Sequence, residues 1–167
     1  ITGLEWNPTG KIPQYGMLPL VLSTSLVTFG AMLIAIPLGI GTAAFISEYA
    51  SPKLKTFLKP AIEMLAAIPS VVIGFLGIVL VGPGIADLAN LPNGLNALNG
   101  AILLAVMALP TIITVAEDAI HAVPKTYKEA SYGVGATKWQ TLCFVTIPAA
   151  APGIIAAIML GVGRAIG

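Results

Sequence analysis

Arg164 lies in Leu160-Gly-Val-Gly-Arg-Ala-Ile-Gly, a basic residue inside an otherwise apolar run. A guanidinium in such a setting is costly and normally faces a cavity or a partner. Its planar fork grips phosphate or carboxylate oxygens two at a time and stays charged at any working pH. Two plainer roles remain open, neutralising a carboxylate for structure alone and snorkelling to a membrane interface. Glu63 stands about one turn into another apolar stretch, suited to lining a path or to contacting Lys59. Glu117 and His121 are four residues apart, which puts both on one helical face at a metal-ligand spacing. The chain has one His and one Cys, Cys143, so no second ligand cluster supports a metal, and neither a metal nor another cofactor is expected. Glu117 and Asp118 are expected instead to pair with nearby lysines of the segment 120–148 or with another subunit. A Gly-x4-Gly-Lys-Ser/Thr phosphate loop is absent from the sequence, so ATP hydrolysis is not expected of this chain.

The segment that separates these groups has its own order. Pro124-Lys-Thr-Tyr-Lys-Glu-Ala-Ser-Tyr-Gly-Val-Gly-Ala-Thr-Lys-Trp-Gln is a polar island between apolar stretches. Pro124 suits a helix start, and Lys125 to Tyr132 holds good helix formers. Gly133 and Gly135 let the backbone turn. Thr137-Lys-Trp-Gln140 matches a capping box, with Thr bonding the third residue's N–H and Gln reaching back. A second short helix follows, with Trp139, Leu142, Cys143 and Thr146 as an apolar stripe suited to docking and Pro148 closing it. The expectation is a helical hairpin parallel to a membrane, presenting a knob to a partner.

The elements that must position these residues are membrane spans. The 167 residues are 57% hydrophobic and 9% charged, with mean hydropathy +0.95. Soluble domains carry about 25% charged residues. Apart from Tyr and Cys, ionisable side chains are absent between Lys11 and Glu48, Glu63 and Asp87, Asp87 and Glu117, and Lys138 and Arg164. Each gap exceeds the roughly 20 residues a helix needs to cross the hydrocarbon core. The fold class is therefore an all-α polytopic membrane protein with four spans, about 17–47, 60–81, 100–119 and 149–167. Residues 1–16 form an extracytoplasmic or interfacial lead-in with Trp6 and Tyr15, residues 82–99 a Gly/Asn/Pro-rich loop, and residues 120–148 a polar loop. Lys53, Lys55, Lys59, Lys125, Lys128 and Lys138 share one side, while the other side carries only Lys11. Basic residues collect on the cytoplasmic side, which places 120–148 in the cytoplasm and the N-terminal segment outside. Gly74-x-x-Gly77, Gly161-x-Gly163 and Ala149 to Ala151 provide small surfaces for close helix contact in lipid. Eight scattered Lys and Arg make no basic stripe, so nucleic acid is not an expected partner. The chain starts with Ile and stops inside an apolar run, as expected of a piece of a longer polypeptide lacking spans at one or both ends.

Glu129-Ala-Ser-x3-Gly135-x9-Val145-x-Ile147-Pro148 resembles the EAA signature of ABC-importer permeases, whose usual form is Glu-Ala-Ala-x3-Gly-x9-Ile-x-Leu-Pro. Ser131 replaces the second Ala. The resemblance extends to the phosphate importers, the Pst permeases, through Ile36-Pro-Leu-Gly-Ile-Gly, Ile46-Ser-Glu-Tyr-Ala, Ile68-Pro-Ser-Val-Val-Ile-Gly-Phe, Leu109-Pro-Thr-Ile-Ile-Thr and Gly163-Arg-Ala-Ile-Gly. Trp6-Asn-Pro and Tyr15-Gly-Met-Leu-Pro look more like the PstC-type subunit than the PstA-type one.

That resemblance implies a type I importer permease fold of the MetI-like kind and translocation of inorganic phosphate across the cytoplasmic (inner) membrane. It implies a second, PstA-like permease subunit, two PstB-like ATPase subunits and a PstS-like extracytoplasmic phosphate-binding protein. Glu129, Ala130 and Gly135 would couple the chain to the ATPase: Glu129 through polar contacts, Ala130 by keeping the helix close to its socket, Gly135 by allowing the turn. Arg164 would lie on the substrate path, beside a Glu that the family usually places one residue beyond Gly167. An ABC permease for sulfate or molybdate is the nearest alternative. An intramembrane metalloenzyme using Glu117 and His121 is the alternative from another class.

Overall fold

In the computed structural model, residues 6–7, 14–89 and 94–167 are described. Much of the lead-in expected over 1–16, including Lys11, lies outside them. Its described parts are two short strands, β1 (Trp6–Asn7) and β2 (Gln14–Tyr15), paired antiparallel with Trp6 opposite Tyr15. Everything else with regular structure is helical: α1 (Leu18–Glu48), α2 (Pro52–Ala67), α3 (Ser70–Leu76), α4 (Gly82–Ala89), α5 (Ala97–His121), α6 (Lys125–Gly133), α7 (Lys138–Thr141) and α8 (Ile147–Ile166). Four stretches are long and apolar enough to cross a membrane: Leu18–Glu48, Ser70–Asp87, Ala97–His121 and Lys138–Ile166.

Helix α5 is the axis of the bundle, packed against α1 on one side and α8 on the other. The contact layers are mostly alanine and glycine: Ala31, Ala35 and Ala43 on α1, Ala105, Ala108 and Ala116 on α5, Ala157 and Ala165 on α8. In lipid such small residues let backbones approach and gain dispersion contacts that large side chains would prevent. Ile112 of α5 is fully buried and meets a glycine on each of two neighbouring helices. A Cβ added at Gly39 of α1 would stand 2.6 Å from its Cγ2, and one at Gly161 of α8 would stand 2.5 Å from its Cγ1. One isoleucine therefore fills the notches of two glycines. Gly163, by contrast, faces open space.

Several boundaries differ from the sequence expectation. The second apolar stretch does not run unbroken over 60–81, because Ile68 and Pro69 are extended (ψ 126° and 136°) and divide α2 from α3. A residue before proline is pushed out of the helical region, and here that preference prevails over hydrophobicity. The polar connection expected from Glu48 to Lys59 contracts to three residues, since Ser51 caps α2 by accepting from the Leu54 N–H. The loop expected over 82–99 is helical from Gly82 to Ala89, and residues 90–93 lie outside the described set.

Pro148 does not close a helix. A π turn over Leu142–Thr146 leads directly into α8, with the Ile147 N–H donating to the Leu142 carbonyl five residues back. The same device recurs at Gly77–Val81, where the Gly82 N–H donates to the Gly77 carbonyl and Pro83 follows. Proline lacks a donor and its ring collides with the carbonyl four residues earlier. Widening the preceding turn by one residue accommodates both defects without ending the helix. Asn99, buried at the start of α5, donates to the Gly77 and Gly94 carbonyls and so ties the first π turn to the loop beneath it.

Candidate functional site

The polar side chains sort into a seam inside the bundle and a hairpin at its end. The seam runs along α5, where Thr111, Thr114, Glu117 and Asp118 recur at helical spacing. At its inner end, Arg164 Nη1 donates to Thr111 Oγ1 at 3.0 Å and Nη2 donates to the Ala66 carbonyl at 3.0 Å. Ala66 is in the last turn of α2, whose carbonyls have no helical partner, so the guanidinium also closes that helix end. Arg164 thereby joins α8, α5 and α2. Two of its five N–H donors are used with these partners.

About two turns along α5, some 9 Å at 1.5 Å per residue, Lys59 Nζ meets Glu117 Oε2 at 2.8 Å. A small cavity of about 70 Å³ adjoins this pair, lined also by Glu63, Thr114 and Asp118. Glu117 is buried and Lys59 half-exposed. The hydrogen bond that Lys59 donates to Glu117 holds its ammonium above the ordinary pKa of 10.5, against a smaller opposing pull from burial. The stability this contributes is present below 10.5 and lost only as pH climbs through the raised value, so Lys59 keeps its charge through the neutral range. One sequence expectation changes here. Glu117 pairs with Lys59 of α2 and not with a lysine of 120–148, because the α2–α5 packing brings them together. His121, one turn further along α5, is exposed, and no group of three potential ligands occurs among the described residues.

Helix α6 and the short α7 form the expected hairpin. Its joint is Gly135 at φ +86°, a left-handed conformation with open space around it, so the glycine serves the backbone and not a close approach. Both halves of the capping box are present: Gln140 N–H donates to Thr137 Oγ1, and Thr137 N–H donates to Gln140 Oε1. Glu129, Ala130 and Gly135 are exposed, as are Tyr127, Tyr132, Val134 and Trp139. The stripe expected to dock as a unit is divided: Leu142 and Thr146 are buried in the bundle, Cys143 is half-buried, and Trp139 points outward.

Two side-chain contacts of α6, one to α1 and one to α7, were not anticipated from the sequence. Lys128 of α6 forms an ion pair with Glu48, the last residue of α1. Ser131 and Thr141 share a hydroxyl hydrogen bond of 2.9 Å across the hairpin. A carboxylate at the end of a span on the lysine-rich side was the available hint for the first.

Apolar helices around a central one, a polar seam within and an exposed hairpin at one end make the architecture of a polytopic membrane component. A family model described as "binding-protein-dependent transport system inner membrane component" matches residues 35–167, and this chain belongs to that family. That places it among the components of binding-protein-dependent transport systems. The chain is 46% identical over 167 residues to the probable ABC transporter permease protein YqgH of Bacillus subtilis, covering 100% of this chain and 54% of that protein. It is 35% identical over 186 residues to the phosphate transport system permease protein PstC of Mesorhizobium japonicum, covering 100% of this chain and 56% of that one. The chain thus spans a little over half the length of these relatives. In fold it resembles a chain of the MetNI methionine ABC transporter in inward-facing conformation, with TM-score 0.69, 22% identity, and coverage of 91% of this chain and 68% of that one.

Proposed function

We propose that this chain is the core of a PstC-type permease subunit of an ATP-driven importer, moving inorganic phosphate across the cytoplasmic membrane. The observation that carries the reading is the hairpin: Glu129, Ala130 and Gly135 are presented outward while Lys128 ties the same helix to α1 and Ser131 ties it to α7. The similarity to PstC proteins supplies the substrate. In this reading residues 17–167 are the transmembrane core, 120–148 are its cytoplasmic coupling loop, and the N-terminal 1–16 lie outside. Two PstB-like ATPase subunits seat the hairpin, and a PstS-like protein delivers phosphate. A second, PstA-like permease subunit completes the path. The open apolar groove of about 930 Å³ along α1 and α8 supports further membrane helices packing there, with lipid covering the remaining apolar surface.

Arg164 is the cation on the phosphate path, supported by its unused donors and its place where three helices meet. Glu63 lines the small cavity beside the Lys59–Glu117 pair, and in this reading its charge keeps anions from lodging there, since phosphate has to leave as readily as it enters. The test is uptake of radiolabelled phosphate by the complete transporter, competed with sulfate and molybdate. Competition by phosphate alone is expected, and transport of sulfate or molybdate in its place would overturn the substrate. Glu129→Lys is expected to assemble and hydrolyse ATP but to lose phosphate uptake. Unchanged uptake in that variant removes Glu129 from coupling.

A further inference from the structure

Helix α6 has no fully buried residue. Seven of its nine side chains are exposed, and the two half-buried ones, Lys128 and Ser131, lie three apart on one face. Those two make the side-chain contacts described above, Lys128 to the end of α1 and Ser131 across the hairpin to α7. Ser131 reaches Thr141, almost fully buried at the entry to α8. Lys128 reaches Glu48, eighty residues away, and both side chains of that pair are more than four-fifths shielded from solvent. Among the described residues no side chain of α6 joins the buried core clusters, and its side-chain link to α1 is the Lys128–Glu48 pair.

We propose that the Glu48–Lys128 pair is the latch through which movement of the hairpin is passed to α1, making both side chains positioning residues for transport. The inference rests on the reading that the hairpin docks on the ATPase. Three features make the pair suited to this task. A carboxylate at the C-terminus of α1 opposes the helix dipole, so Lys128 compensates the Glu48 charge and the dipole together. The pair is shielded enough that losing one partner strands a charge, so it stays closed as the hairpin shifts. Finally, α1 is continuous from Glu48 back to Leu18 and is seated on α5 at the Gly39–Ile112 contact, so a pull at its end reaches the bundle. The charges facing this junction are Lys128 from α6 and Lys55 from α2, whose Nζ donates to the Ser47 carbonyl at 2.8 Å. Lys55 fixes the backbone of the last turn, and Lys128 holds the side chain that the hairpin moves.

The experiment compares Glu48→Gln, Lys128→Gln and the exchange Glu48→Lys with Lys128→Glu in the complete transporter, reconstituted with its ATPase subunits and binding protein. The readout is phosphate taken up per ATP hydrolysed, with subunit assembly measured alongside. Each single variant is expected to keep hydrolysing ATP while the ratio falls by about tenfold, within the usual span of a coupling free energy. The exchange is expected to restore the ratio to within about twofold. Single variants with the wild-type ratio overturn the proposal, and so does an exchange that restores assembly but not the ratio. Glu129→Lys run in parallel separates the two claims. If Glu129→Lys uncouples and the Lys128 variants do not, the docking reading stands and the latch fails. If Glu129→Lys is neutral, the docking reading fails by itself.

Discussion

At the scale of single residues, Arg164 illustrates how far side-chain type alone carries an argument. Its cost in an apolar run marked it, and that cost is general physical chemistry. What the chain could not reveal is the identity of its partners, a hydroxyl on α5 and a backbone carbonyl on α2, because neither leaves a pattern in the sequence. The two contacts diverge from one planar group, which a lysine ammonium on a flexible stem does not reproduce. Arg164→Lys is therefore expected to retain assembly but to lose more than about tenfold in phosphate uptake, near the loss of one charge-assisted hydrogen bond of 1.5–3 kcal/mol. Arg164→Ala is expected to abolish uptake. Initial-rate uptake in proteoliposomes measures both, and wild-type rates in either variant defeat the path role. The same limit applies to Lys59 and Glu117: each was visible as a charge beside an apolar stretch, but their pairing depends on how α2 folds back onto α5.

At the scale of elements, legibility followed the range of the interaction. The hairpin could be read because a glycine joint and a capping box are set by neighbours within a few residues. The break at Ile68–Pro69 was in principle as local, yet a continuous apolar run concealed it. The π turns before Pro83 and Pro148 were hidden for a different reason, since a proline in a helical pattern ordinarily signals a stop. The two hairpin glycines give a sharp comparison. Gly135→Ala places a Cβ in a left-handed residue and is expected to destabilise the joint by about 1–2 kcal/mol. Gly133→Ala falls in the last turn of α6 with open space around it, and is expected to be neutral or to stabilise by up to about 1 kcal/mol. Amide hydrogen exchange across α6 and α7 distinguishes them: faster exchange with Ala at 135, unchanged or slower with Ala at 133. Equal effects would mean that the positive φ is not what the joint requires.

At the scale of the whole molecule, four membrane-length stretches were legible because hydrophobicity over some 20 residues is a strong signal. The order in which they pack was not, since alanine- and glycine-rich surfaces of α1, α5 and α8 look alike in sequence. Their arrangement depends on which notch meets which knob. Gly39→Ala is expected to lower stability by about 1–3 kcal/mol through crowding against Ile112. Ile112→Ala in that background should cost less than the sum of the single changes, with a coupling of about 0.5–3 kcal/mol. Thermal unfolding of the detergent-solubilised protein in a double-mutant cycle checks this, and strict additivity would show that the two positions do not share space. Because Gly161 of α8 meets the same isoleucine, the consequence extends past stability to inheritance. The room one position surrenders is room the other two can occupy, so variation at 39, 112 and 161 has to proceed as a trio. Across related sequences these sites should co-vary in side-chain volume, and a redesign of the bundle that alters one without the others works against its own packing.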